Sequence, residues 1–79
     1  SLAYTENLGL ALYPNPGQGM LSFDGWKEGD QITVFDSKGS LVGCKSIGNG
    51  YFALQGGPGV YLITVQRDED YQEFTYTLQ

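Results

Sequence analysis

Histidine is absent from this sequence, cysteine occurs once, and only four residues are basic. Lack of histidine removes the commonest general base and the commonest transition-metal ligand. It also removes every Ser-His-Asp or Cys-His arrangement. A lone Cys44 excludes an internal disulfide. Four Lys and Arg stand against nine Asp and Glu, a net charge of −5. That balance, with no basic stripe, argues against nucleic acid and anionic membrane as partners. No apolar run approaches the about 20 residues that span a bilayer as a helix. No basic-then-apolar segment opens the chain; if the protein is exported, its signal is expected upstream of Ser1.

What the chain does contain is period-two patterning. Leu8, Leu10 and Leu12 alternate with Gly9 and Ala11. Leu21 and Phe23, then Ile32 and Val34, repeat the pattern, and an extended run from Val42 through Cys44 to Ile47 follows. Tyr51–Leu54 reads as a short strand, and Phe74, Tyr76 and Leu78 alternate cleanly with polar neighbours. Such alternation in aliphatic and aromatic residues is the mark of half-buried strands. Val60–Val65 is apolar in both phases, which predicts a central strand. The breaks carry turn chemistry. Asp36-Ser37-Lys38-Gly39 suits a hairpin with Gly39 at positive φ. Tyr13-Pro14-Asn15-Pro16-Gly17 ends the first strand, because proline offers no N–H to a ladder. About seven short strands joined by tight turns in 79 residues predict an all-β, immunoglobulin-like antiparallel sandwich. The sandwich is expected over 8–79. Residues 1–7, mostly polar, are expected to be a flexible junction with whatever precedes them.

Candidate chemistry is sparse. Cys44 has Lys45 beside it, but neighbours on a strand point to opposite faces, so a structural thiol is the favoured reading. Asp24, Glu28, Asp30 and Asp36 supply carboxylates of the type used in glycoside hydrolysis, yet aspartate is an ordinary turn residue. Asp68-Glu69-Asp70 could attract calcium but has no EF-hand spacing. Gly56-Gly57-Pro58-Gly59 lacks the Lys and the helix of a phosphate loop. Trp26, Tyr51 and Phe52 could stack on a sugar, with Trp26 the best candidate for an exposed aromatic; the plainer reading is core and loop plugs. No enzyme activity, cofactor or metal is expected.

Three ordered segments then add a resemblance. Leu12-Tyr13-Pro14-Asn15-Pro16, the hairpin Ile32–Val42 around Gly39, and Gly57-Pro58-Gly59-Val60-Tyr61-Leu62-Ile63-Thr64-Val65 occur before a last strand near the C-terminus. Together they resemble the C-terminal sorting domain (type A) of proteins exported by the type IX secretion system of Bacteroidota. The resemblance implies a non-catalytic signal, with Tyr13, Pro14, Asn15, Pro16, Gly39, Gly59, Val60 and Tyr61 as its motif residues. It implies passage through the periplasm to the cell surface or medium. The implied partners are the outer-membrane secretion machinery, a sortase-like attachment system and a covalently continuous upstream cargo. Ser40 stands where the family often has Arg, and Tyr71-Gln72-Glu73-Phe74 where it commonly has Lys. A retained docking module therefore stays open, as do a carbohydrate-binding module and a structural spacer of a secreted surface protein. The last strand, uncharged from Phe74 to Gln79, is the expected site of edge pairing between chains.

Overall fold

In a computed structural model, residues 8–79 are described; the proposed junction at 1–7 lies outside them. Among the described residues eight strands form two four-stranded antiparallel sheets. They are β1 (Ala11–Tyr13), β2 (Met20–Asp24), β3 (Gln31–Asp36), β4 (Leu41–Val42), β5 (Cys44–Gly48), β6 (Tyr51–Leu54), β7 (Gly59–Arg67) and β8 (Asp70–Leu78). One sheet runs β1-β2-β6-β5, the other β4-β3-β7-β8. That order is the ABED and CFG arrangement of immunoglobulin domains, with β4 added beside the C-type strand β3.

Two boundaries differ from the sequence expectation. The extended run from Val42 is not one strand: β4 belongs to the second sheet and β5 to the first, with Gly43 between them. This change of sheets raises the count from about seven to eight. The first strand begins at Ala11 rather than Leu8. Its predicted phase holds, since Leu10 is core and Leu8 and Leu12 pack against the core. The backbone N–H groups of Leu8 and Leu10 both donate to the Gln72 side-chain oxygen, at 3.1 and 3.2 Å. The Gln72 amide in turn donates to the Leu10 carbonyl at 3.1 Å.

Alternation puts one face of each sheet inside. Leu21, Phe23, Phe52 and Leu54 face Val34, Ile63, Val65 and Tyr76 in a single cluster. Ile63, Val65 and Tyr76 are 0% exposed. Burying an aliphatic side chain of this size stabilises by about 2 kcal/mol. Antibody domains place a disulfide cysteine two residues after a conserved corner tyrosine. Ile63 holds that position after Tyr61 here, so aliphatic packing stands where those domains have a cross-link.

β7 lies between β3 and β8, as its apolar run predicted. Both faces are not buried, however. Val60 and Leu62 point outward and are 48% and 41% exposed.

Candidate functional site

The three motif segments converge on the outer face of the β4-β3-β7-β8 sheet. Register explains how. Phe35 lies opposite both Leu41 and Leu62, Leu62 opposite Thr75, and Val60 opposite Thr77. Leu41, Phe35 and Leu62 therefore form one apolar row across three strands, with Val60 beside it. Leu41 is 71% exposed. The row borders a shallow depression of about 390 Å³ lined by Phe35, Asp36, Gly39, Val60, Leu62 and Thr75 among others.

The motif residues of the hairpin and of β7 have definable structural roles. Gly39 adopts φ +86°, and its N–H donates to the Asp36 carbonyl at 3.0 Å. The Asp36 carboxylate accepts from the backbone N–H groups of Lys38 and Ser40, both at 2.9 Å. The one carboxylate bordering the depression is thus occupied by its own turn, as expected of turn aspartate. Gly59 adopts φ +150°, and a Cβ there would meet nothing within 4 Å. Its requirement is backbone conformation, not close approach.

Tyr61 buries its ring, and its hydroxyl donates to the Gly57 carbonyl. This i to i−4 bond at the start of an F-type strand is a tyrosine corner. A Cβ on Gly56 would overlap the Tyr61 hydroxyl. The glycine-rich segment that resembled no phosphate loop thus seats this tyrosine.

The Tyr13–Pro16 corner flanks the same face at the outer edge of β8. The peptide bonds preceding Pro14 and Pro16 are cis. Neither proline can donate a hydrogen bond, and the Asn15 carboxamide takes that place. Its nitrogen donates to the Thr75 carbonyl at 2.7 Å, and its oxygen accepts from the Thr77 N–H at 3.1 Å. Gly17 continues the pairing, donating to the Thr77 carbonyl at 3.0 Å and accepting from the Gln79 N–H at 2.9 Å. Tyr13 itself is half exposed on β1 and belongs to the other sheet.

The remaining candidates lie elsewhere. Trp26 is not the freely exposed aromatic expected. It is partly buried, with ring centroids 5.4 Å from Phe23 and 5.0 Å from Phe52. Phe52 is core, so of the three suggested stacking aromatics only Tyr51 presents an open ring. Cys44 is half-buried at a cleft with Ile32, Val34 and Val42, and desolvation pushes its thiol pKa up, away from the reactive thiolate. Asp24 and Glu28 are exposed. Among the described residues no group of acids, cysteine or histidine could hold a metal ion.

Two structural devices were not anticipated from sequence. Asp30 and Arg67 form a two-pronged ion pair, with 2.8 Å from Nε to Oδ1 and 2.7 Å from Nη2 to Oδ2. Arg67 also donates to the Gly25 carbonyl at 3.1 Å, and Asp30 accepts from the Lys27 N–H at 2.9 Å. The pair ties the end of β7 to the loop between β2 and β3. The Asp30 side chain is 1% exposed. Tyr76, the second device, is fully buried, and its hydroxyl accepts from the Gly19 N–H at 2.9 Å. A Cβ on Gly17 would overlap that hydroxyl. Its burial could be read from the alternation of Phe74, Tyr76 and Leu78; its hydroxyl partner, 57 residues away, had no local signal.

No protein-family model, curated protein or solved structure matches this chain.

Proposed function

We propose that this sandwich is a non-catalytic address label, the C-terminal sorting domain of a protein exported by a type IX secretion system. The observation that carries the reading is convergence. Segments that resemble the family's motifs, far apart in sequence, meet along one surface: Asn15 on Thr75 and Thr77, these on Leu62 and Val60, and Leu62 on Phe35 beside the Gly39 hairpin. The Asp36 carboxylate and the Asn15 carboxamide there are engaged by backbone groups, and an apolar row lies open beside them. That surface suits contact with another protein better than covalent chemistry.

On this reading the domain is recognised in the periplasm by the outer-membrane machinery and accompanies its cargo to the cell surface. A sortase-like attachment system acts on the protein there. The test is to fuse residues 1–79 to a periplasmically targeted reporter in a Bacteroidota host with an active type IX system. Reporter on the surface or in the medium is expected, with loss of export for Leu62→Glu in a protein that remains folded. Retention in the periplasm equal to that of reporter alone overturns the proposal.

A further inference from the structure

β8 is a nine-residue strand at the margin of its sheet, hydrogen-bonded as a strand, among the described residues, to β7 alone. Its side chains from Phe74 to Gln79 carry no charge. Natural sheets protect such margins with charged side chains, proline or a covering segment. Here the covering is local and specific. The outward-facing groups of Thr75, Thr77 and Gln79 are met by Asn15 and Gly17. Gly17 and Leu78 make an isolated parallel bridge.

The covering segment cannot itself extend the sheet. Pro14 and Pro16 have no N–H, and a side-chain carboxamide replaces one backbone position of a ladder. It satisfies β8 while offering no regular strand to a further chain.

We infer that the Pro14–Gly17 corner is an edge plug, which keeps a second copy of this chain from adding its own β8 antiparallel to this one. The second copy is the favoured occupant on charge. Antiparallel self-pairing over Phe74–Gln79 sets uncharged rows against uncharged rows, whereas Asp70 and Glu73 lie outside that overlap. The inference is independent of export: it concerns assembly of the isolated domain and holds whatever the domain addresses.

Asn15 is exposed, so Asn15→Ala removes two hydrogen bonds without opening the core. Sedimentation velocity on residues 1–79 is expected to give a monomer for the parent. Asn15→Ala is expected to give a concentration-dependent dimer. Adding Thr75→Lys, a charge on the exposed face of the strand edge, is expected to restore the monomer. Hydrogen exchange gives a second readout. In Asn15→Ala the Thr77 amide should exchange roughly tenfold faster at low concentration and recover protection as the dimer forms. A variant whose Thr77 amide is freed for exchange yet stays monomeric at all concentrations overturns the plug, and so does one whose Thr77 amide keeps its protection as a monomer, since Asn15 then does not guard the edge. So does a dimer that persists with Thr75→Lys or leaves Thr77 unprotected, since its contact then lies elsewhere.

Discussion

Two tyrosines hold this sandwich by their hydroxyls, and the structure says they are unequal. Tyr76 accepts from the N–H of Gly19, and both residues are buried. Tyr61 donates to the carbonyl of Gly57, which is exposed. Removing the Tyr76 hydroxyl leaves a buried donor without its partner. That costs about 1–3 kcal/mol. Removing the Tyr61 hydroxyl leaves an acceptor that solvent can reach, so the loss approaches the net value of one hydrogen bond, about 0.5–1 kcal/mol. Ring burial is preserved by phenylalanine in both cases.

For 79 residues the total stability is about 4–12 kcal/mol at the usual value per residue. A loss of about 2 kcal/mol in Tyr76→Phe is then a large share of it. The midpoint of thermal unfolding should fall by about 8–16 °C, at 4–8 °C per kcal/mol for a domain of this size. In urea, with a slope of about 1 kcal/mol/M, the midpoint should fall by about 2 M at unchanged slope. Tyr61→Phe should move it by less than half as much. Equal effects, or a Tyr76→Phe loss below about 0.5 kcal/mol, would refute the argument that a buried orphaned donor governs the difference. A changed slope would show that the variant altered the unfolded ensemble instead.

Two further variants separate backbone conformation from space. Gly39→Ala faces φ +86° with nothing within 4 Å, so conformational strain alone should cost about 1 kcal/mol by urea unfolding. Gly17→Ala puts a methyl 2.7 Å from the Pro14 carbonyl and onto the Tyr76 hydroxyl, so it should cost about 2–3 kcal/mol and expose the Thr77 amide to exchange. The Asp30–Arg67 pair predicts an acid limit. Its hydrogen bond to Arg67, foremost, holds the Asp30 carboxyl below its ordinary value against the opposing effect of burial. A depressed folded-state value contributes stability that is fully present above the unfolded pKa, about 3.9, and lost as pH falls through the folded one. Urea unfolding of Asp30→Asn should therefore show lower stability than the parent at neutral pH and a shallower decline below about pH 4. A parent-like acid profile in that variant would refute the assignment.

The legible part of this fold was the part written in period two. The phases of Leu8, Leu10 and Leu12, of Leu21 and Phe23, and of Phe74, Tyr76 and Leu78 all point inward as their alternation required. The Gly39 turn was equally readable, because it depends on residues within a few positions along the chain, and the Tyr61 corner is just as local. What escaped was long-range polar pairing. Gln72 bonding Leu8 and Leu10, Asp30 bonding Arg67, and Tyr76 bonding Gly19 join residues 37 to 64 positions apart. A single glutamine or aspartate gives no local sign of such a partner. The split at Gly43 escaped for a different reason. An extended run keeps its period through a change of sheets, so periodicity cannot reveal that Val42 and Cys44 serve different ladders. The exposed Val60 and Leu62 carry a related lesson: an apolar run in both phases marks an interior strand, yet one of its faces here lies open.

Both open sides of the sandwich are closed by the chain itself, and the two closures use opposite chemistry. Where β4 meets β5, backbone passes directly from one sheet to the other through Gly43, whose carbonyl accepts from the Gln55 N–H at 3.0 Å. Where β1 meets β8, the connection is non-covalent. Gln72 of β8 binds the segment before β1, and Asn15, in the segment after β1, binds Thr75 and Thr77 of β8, so two side-chain amides do what continuous backbone does on the other side. A covalent crossing cannot be released without unfolding, whereas an amide latch can open locally. The side that bears Asn15 is also the one on which the Pro-Asn-Pro corner adjoins the apolar face. Any partner that grips that face therefore works beside the less permanent of the two seams. Local opening at Thr77, measured by exchange with and without such a partner, reports whether the grip tightens the latch or lifts it.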